Sequence, residues 1–188
     1  MDRVSLKNKA KETLNKNRWG LVLVSLVGGL LIGVATAFFV IPGLIVGPVL
    51  MYGIANYIYL DKKGEHVEFN ILFSGFDKMG KILGVYYLGF VQVLLWSLLL
   101  IVPGVIKTLA FSQAYFVLLE NPNMSASDIL KKSESMMNNH KWEMFVLMLS
   151  FLGWLLLGSI TLGILNILYV TPYMLYTFIY YYDALKAA

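Results

Sequence analysis

The chain alternates between charged segments and long stretches that carry no charge. Residues 19–60 and 144–182 form charge-free stretches of 42 and 39 residues, and residues 82–119 form a third that is interrupted only by Lys107. A membrane-crossing helix needs about 20 apolar residues, so each stretch has room for two. The pattern predicts six membrane-spanning helices.

Each charge-free stretch contains helix-breaking residues near its centre. The first has Pro42-Gly43, followed by Gly47-Pro48, the second has Pro103-Gly104, and the third has the weaker Thr161-Leu162-Gly163. Because Pro and Gly stop or kink helices, we expect three tight hairpins of two helices each.

The breakers and the charged segments recur at a nearly fixed interval, which predicts one membrane domain, residues 1–188, built from units of about 1–60, 61–120 and 121–188. Sequence identity between the units is low. Any six-span protein with short outer turns would also look periodic, and this alternative stays open.

The charged segments that open the units have helical patterns. Leu6, Ala10 and Leu14 repeat every four residues in the first, and Ser125 to Asp128 fits a capping box in the third. Apolar stripes follow in the second and third segments, at Phe69, Leu72, Phe73, Phe76 and Met79, and at Ile129, Leu130, Ser133, Met136, Met137 and His140. These patterns predict amphipathic helices, which either lie in the membrane interface or dock on the ends of the spans.

The predicted fold class is therefore all-α: a polytopic membrane helix bundle with six transmembrane helices as three repeated hairpins, each preceded by a cytoplasmic amphipathic helix.

The three charged segments hold six, four and three Lys or Arg residues. The positive-inside rule places them, with both termini, in the cytoplasm of a multi-pass cell-membrane protein. Lys107 is expected at the outer interface. A signal peptide ending near Ala35-Thr36-Ala37 is a weaker alternative.

Composition narrows the function classes. The 188 residues are 59% hydrophobic and 14% charged, the mean hydropathy is +0.70, and there is no cysteine, which excludes a disulfide scaffold and a thiol nucleophile. The net charge of +4 reflects cytoplasmic loops, so we expect no nucleic-acid partner. The expected partners are membrane lipids with anionic headgroups, a second copy, or another membrane protein. The candidate lipid-facing basic helix carries Lys7, Lys9, Lys11, Lys16 and Arg18.

No Asp, Glu or His lies inside a predicted span, so we expect no enzyme activity, no catalytic residues, no metal site and no cofactor. An enzyme reading would have candidates only at His66, His140 and Glu143. Tyrosines in the second helix of each hairpin suggest an interfacial aromatic belt.

Polar residues within the spans form a candidate intramembrane patch: Asn56, Gln92, Gln113 and Lys107. Helix rise places the three amides near mid-depth. They either line a path or cleft, or hydrogen-bond one another and fix the helix register.

Several short motifs resemble a bacterial membrane-protein family, number 975 among the domains of unknown function. They are residues 95–107 (LWSLLLIVPGVIK), Phe73-Ser74-Gly75-Phe76, Asn121-Pro122, Ser133 with Met136-Met137, His140-Lys141, Pro172-Tyr173, and Ala10-Lys11, Leu14 and Trp19-Gly20 in the leader. The resemblance implies a multi-span protein with no established activity and provides no catalytic residues.

Two non-enzymatic hypotheses for the function stand beside the enzyme hypothesis, whose candidates lie only at the cytoplasmic surface. The first is a non-catalytic protein that organises the membrane by binding lipid or a partner. The alternative is a passive channel or carrier for a lipid-like or neutral solute that passes the amide patch.

Overall fold

The computed structural model describes residues 3–16, 18–38, 40–161 and 163–187. Every regular element in these ranges is helical, and they contain no strand. The predicted all-α class is confirmed.

Ten α-helices follow one another along the chain: α1 Arg3–Lys16, α2 Arg18–Phe38, α3 Val40–Lys62, α4 Met79–Leu99, α5 Ile101–Ala110, α6 Ala114–Glu120, α7 Ala126–Met136, α8 Lys141–Leu149, α9 Leu152–Ile160 and α10 Thr171–Lys186. Two 3₁₀ turns, Phe69–Phe73 and Phe76–Lys78, precede α4, and a π-helical turn, Asn166–Val170, precedes α10.

Among the described residues, four helical stretches are long and apolar enough to cross a membrane: Gly43–Lys62, Phe69–Leu99, Ile101–Glu120 and Lys141–Ile160. The pair Arg3–Asn15 and Trp19–Val34, bent by 92°, makes a fifth if it counts as one span. The stretch predicted as the sixth span is not among these; it consists of the π-helical turn followed by the 16-residue α10.

The second predicted helix break lies about three residues before the Pro-Gly pair that predicted it. Leu100 is extended, with φ −161° and ψ 147°, and Pro103 lies in the first turn of α5. Proline fits a first turn because the N–H that it lacks has no partner inside the helix there. Pro103 therefore begins the second helix of its pair. At the first predicted break, α2 is described to Phe38 and α3 from Val40, and residue 39 lies outside the described residues.

The third predicted turn lies where the sequence indicated. α9 ends at Ile160, and Gly163 has a φ of +84°, a conformation that costs glycine little. The Gly163 N–H donates to the Gly158 carbonyl at 2.9 Å and closes the helix end.

The second charged segment is not the amphipathic α-helix that its stripe predicted. It forms the two 3₁₀ turns, and of the stripe only Leu72 is buried, while Phe69, Phe73 and Phe76 are exposed. This segment packs backbone to backbone on α3. A Cβ added at Gly53 would overlap the Leu72 carbonyl, and one added at Gly75 would overlap the Val49 carbonyl. A glycine on each side therefore allows the close approach.

The stripes of the first and third charged segments face protein. Leu6, Ala10 and Leu14 are buried, and α1 packs along α10. In α7, Ser125 caps the helix by accepting from the Asp128 N–H at 3.2 Å, and Ile129 is buried where α7 packs on α4. Both helices are docked on the bundle.

The contact between α3 and the 3₁₀ turns gives a first prediction. Gly53→Ala should destabilise the fold by about 1–3 kcal/mol through overpacking, measured as a lower unfolding temperature in detergent. The control is Gly80→Ala in the first turn of α4, where an added Cβ meets nothing within 4 Å. Equal unfolding temperatures for the two variants would contradict the close approach.

Candidate functional site

The ends of α3, α6 and α10 meet in a cluster of ion pairs. Asp61 and Lys62 come from α3, Glu120 from α6, and Asp183 and Lys186 from α10. Lys186 Nζ lies 2.6 Å from Glu120 Oε1, and Lys62 Nζ lies 2.6 Å from Asp183 Oδ2. These residues, with the tyrosines below, are called the end network. It joins the closing helices of all three predicted units.

Tyrosine hydroxyls complete the end network. Tyr59 and Tyr182 donate to the two carboxylate oxygens of Glu120 at 3.3 and 2.8 Å, and Tyr176 donates to Asp61. The rings of Tyr176 and Tyr182 are fully buried. Hydrogen bonds to an ionised acceptor are about twice as strong as neutral ones, so the network braces the helix ends against each other.

Lysine ammonium groups also lie on aromatic faces beside the end network. Lys63 Nζ lies 4.2 Å from the centre of the Tyr59 ring. Just beyond α3, its hydrogen bond to the Tyr59 hydroxyl, aided by the Glu65 and Glu120 carboxylates, raises the pKa of Lys63 above its usual value. These contacts therefore favour the charged form of Lys63.

Part of the end network agrees with the sequence pattern. No Asp or Glu was expected inside a span, and Asp61, Glu120 and Asp183 lie at or near helix ends, but the tyrosines were expected in an interfacial aromatic belt. The structure instead buries Tyr176 and Tyr182 in the bundle. A local signal was present, because acids and lysines follow tyrosines closely in residues 57–62 (YIYLDK) and 180–186 (YYYDALK).

The three amides of the predicted patch are not joined by hydrogen bonds in the described part of the chain. Asn56 donates to Ser74 Oγ at 3.0 Å, which adds a polar contact to the packing of the 3₁₀ turns on α3. Gln113 is fully buried and donates to Ser112 Oγ at 3.1 Å, and its Oε1 has no hydrogen-bond partner. Gln92 is partly exposed on α4.

Lys107, the fourth member of the patch, forms an ion pair. Its ammonium is 2.6 Å from Glu134 Oε1 on α7 and lies over the rings of Trp96 and Phe111, at 5.8 and 5.5 Å. The Lys107 ammonium is thus paired with a carboxylate of the third charged segment instead of extending alone, and its place at the outer interface stays a prediction. The physical reason for the pairing is that α7 docks on α4 and α5 and brings a counter-ion to the lysine.

The predicted basic helix exposes part of its charge. Lys9 and Lys11 are exposed, whereas Lys7 donates to the Ser150 carbonyl at 3.4 Å and lies 4.2 Å from the centre of the Phe151 ring. The side chains of Lys16 and Arg18 lie outside the described residues. The free basic surface of α1 is consequently narrower than its sequence suggests.

The residues considered for an enzyme reading show limited contacts. His140 Nδ1 lies 3.1 Å from Glu143 Oε2, and the Tyr181 hydroxyl donates to the His140 carbonyl at 3.0 Å. Within the described ranges, no group of three or more His, Asp or Glu side chains could hold a metal ion. His66 lies in the non-helical segment before the 3₁₀ turns.

In the described part of the chain, clefts open between the helices around α5, and two of them bear on the predicted sites. One, of about 330 Å³, lies among α4 to α7 and is lined by Gly89, Phe111 and Leu130 among others. Neither Gln92 nor Gln113 lines it. The other, between α5 and α8, is larger, at about 510 Å³, and its lining includes Lys141.

A family model described as "Protein of unknown function (DUF975)" matches residues 25–188. The chain belongs to the DUF975 family. The match confirms the resemblance seen in the motifs and includes the end network, although the leader motifs before residue 25 lie outside it. No curated protein and no solved structure matches the chain.

The end network gives a second prediction. Glu120→Gln removes the charge that holds Lys186 and weakens the bonds from Tyr59 and Tyr182, so it should destabilise the protein by about 1–3 kcal/mol. Urea unfolding in detergent measures the loss. The control is Glu65→Gln, because Glu65 is exposed in the loop after α3. An effect no larger than that of the control would show that the network is not a brace.

The orphaned oxygen of Gln113 gives a third prediction. A buried acceptor without a partner costs about 1–3 kcal/mol, so Gln113→Leu should raise the unfolding temperature in detergent. Asn56→Leu, which breaks a formed hydrogen bond, should lower it. If Gln113→Leu destabilises the protein instead, the amide has a favourable contact that this geometry lacks.

Proposed function

We propose that this DUF975 protein is a non-catalytic membrane protein that organises lipids or a membrane partner around its exposed apolar helices. One observation carries the proposal. Around the α4–α5 turn, the side chains of Leu98, Leu99, Leu100, Ile101 and Val102 are 67–80% exposed. A continuous apolar surface of this kind is stable only against lipid or another apolar surface.

The pairing of the charged side chains with one another supports a non-catalytic role. Glu120, Lys107 and Glu134 are each engaged with side chains of the same protein. Groups already paired inside the fold are less available to bind a substrate, because a substrate would have to displace their present partners. The solute-path alternative has less support, because Asn56 and Gln113 bond separate serines.

We further propose the topology that the charge pattern favours: six spans as three hairpins in the cell membrane, with both termini and the charged segments in the cytoplasm. In this arrangement α1 and α7 are amphipathic helices docked on the bundle, and α7 is drawn alongside α5 by the Lys107–Glu134 pair. Lipids with anionic headgroups would meet the exposed lysines of α1. Nucleic acid is not a proposed partner.

The absence of cysteine makes this topology directly testable. Single cysteines replacing Gly64 and Ser127 should resist a membrane-impermeant maleimide in intact cells, and one replacing Ile160, at the turn after α9, should react. All three sites have exposed side chains or lie in exposed backbone. Labelling of residues 127 and 160 from the same side would overturn the arrangement of hairpins.

Lipid organisation is tested with spin-labelled phospholipids in reconstituted vesicles. The full chain should immobilise phosphatidylglycerol in preference to phosphatidylcholine at low salt, since each lysine near the surface contributes about 1 kcal/mol. Lys9→Gln/Lys11→Gln should reduce this preference, and the sign-reversed control Glu12→Gln should preserve or increase it. Equal immobilisation of both lipids by the unmodified chain would overturn lipid organisation through charge.

A further inference from the structure

The larger cleft has a shape and lining that suit one lipid chain. Ile101, Val105 and Leu109 of α5 face Trp142 and Phe145 of α8 across a volume of about 510 Å³. The cleft is called the α5–α8 groove. Nearly all of its lining is aliphatic or aromatic, and the one charged side chain in that lining is Lys141.

A neighbouring cleft extends the α5–α8 groove away from Lys141. Val105, Leu109 and Phe145 also line a neighbouring cleft of about 370 Å³, which extends past Met148 to Leu152 and Leu155 and does not include Lys141. Lys141 therefore stands at the opposite end of the joined groove. From Lys141 to Leu152 the helix rise is about 16 Å, close to the roughly 15 Å depth of one leaflet of the hydrocarbon layer.

The end of the α5–α8 groove at Lys141 carries the residue types that bind lipid headgroups. Lys141 is partly exposed and forms no hydrogen bond or ion pair among the described residues, in contrast to Lys107 on the facing helix, which is held by Glu134. Trp142, beside it, is 71% exposed. Tryptophan and lysine together favour the level of lipid headgroups, and basic pockets between membrane helices bind anionic lipids.

We propose that the α5–α8 groove binds one anionic phospholipid, with its phosphate at Lys141 and one acyl chain along Val105, Leu109 and Phe145. This rests on the proposed function and names its ligand class. Charge complementarity at Lys141, and an apolar length equal to one leaflet, favour a phospholipid over a helix of a second copy.

The test uses the fluorescence of Trp142 in the full chain reconstituted in vesicles, with Trp19, Trp96 and Trp154 replaced by Phe. Brominated phosphatidylglycerol should quench Trp142 more strongly than brominated phosphatidylcholine at the same mole fraction. Lys141→Gln should weaken the apparent binding of phosphatidylglycerol about five-fold and abolish the preference. The matched control is Lys131→Gln, which removes an exposed lysine of α7 outside the groove and should leave the preference intact.

A second variant tests the apolar part of the groove and does not depend on charge. Val105→Phe fills the middle of the groove at a side chain that is 43% exposed, so the fold should tolerate it, and quenching by both brominated lipids should fall. Equal quenching by the two lipids in the unmodified single-Trp chain, or equal effects of Lys141→Gln and Lys131→Gln, would overturn the proposal.

The remaining outcomes separate this proposal from the broader one. In one outcome, spin-labelled phosphatidylglycerol is still preferred, but Lys141→Gln does not change the quenching of Trp142. The α5–α8 groove is then not the lipid site, whereas the proposed lipid organisation stands. If neither brominated lipid quenches Trp142 and cross-linking shows a dimer through α5 and α8, a second copy occupies the groove and the lipid site is overturned. Loss of every lipid preference contradicts both proposals.

Discussion

The Glu120 carboxylate is the group on which the closed end of the bundle depends. Tyr59, Tyr182 and Lys186 all donate to it, and through them α3, α6 and α10 are held at one point. A carboxylate surrounded by apolar helices is costly unless it is paired and hydrogen-bonded. Because Glu120 and its partners together come from all three predicted units, the neutralisation of this single charge also fixes how α3, α6 and α10 meet.

The same requirement explains where the structure departs from expectations based on each helix alone. A lone lysine in an apolar stretch was expected to extend to the outer interface, but Lys107 finds Glu134 on a helix that the charge pattern assigned to the opposite face. Asn56 donates a hydrogen bond to the Ser74 hydroxyl rather than to another amide of the predicted patch. Sequence shows which groups need partners, whereas the choice of partner depends on the packing of distant segments.

The local parts of the fold were predictable. The apolar stripe of α1, the serine cap of α7 and the glycine turn after α9 all lie where short-range patterns indicated, because each depends on a few neighbouring residues. The end network and the α5–α8 groove were not predictable in this way. Glu120 and Tyr182 are 62 residues apart, and nothing in either neighbourhood specifies the other.

The contact of α3 with the 3₁₀ turns has a mechanical consequence. At Gly53 and Gly75 no side chain separates the two backbones, so there is no rotamer that can adjust to absorb strain. Leu72 and Val49 must then shift together, and a load on the surface loop that carries Phe73 and Phe76 passes directly into the helix axis. A displacement of these exposed rings would thus move the backbone of α3 as well, because no side chain lies between to absorb it.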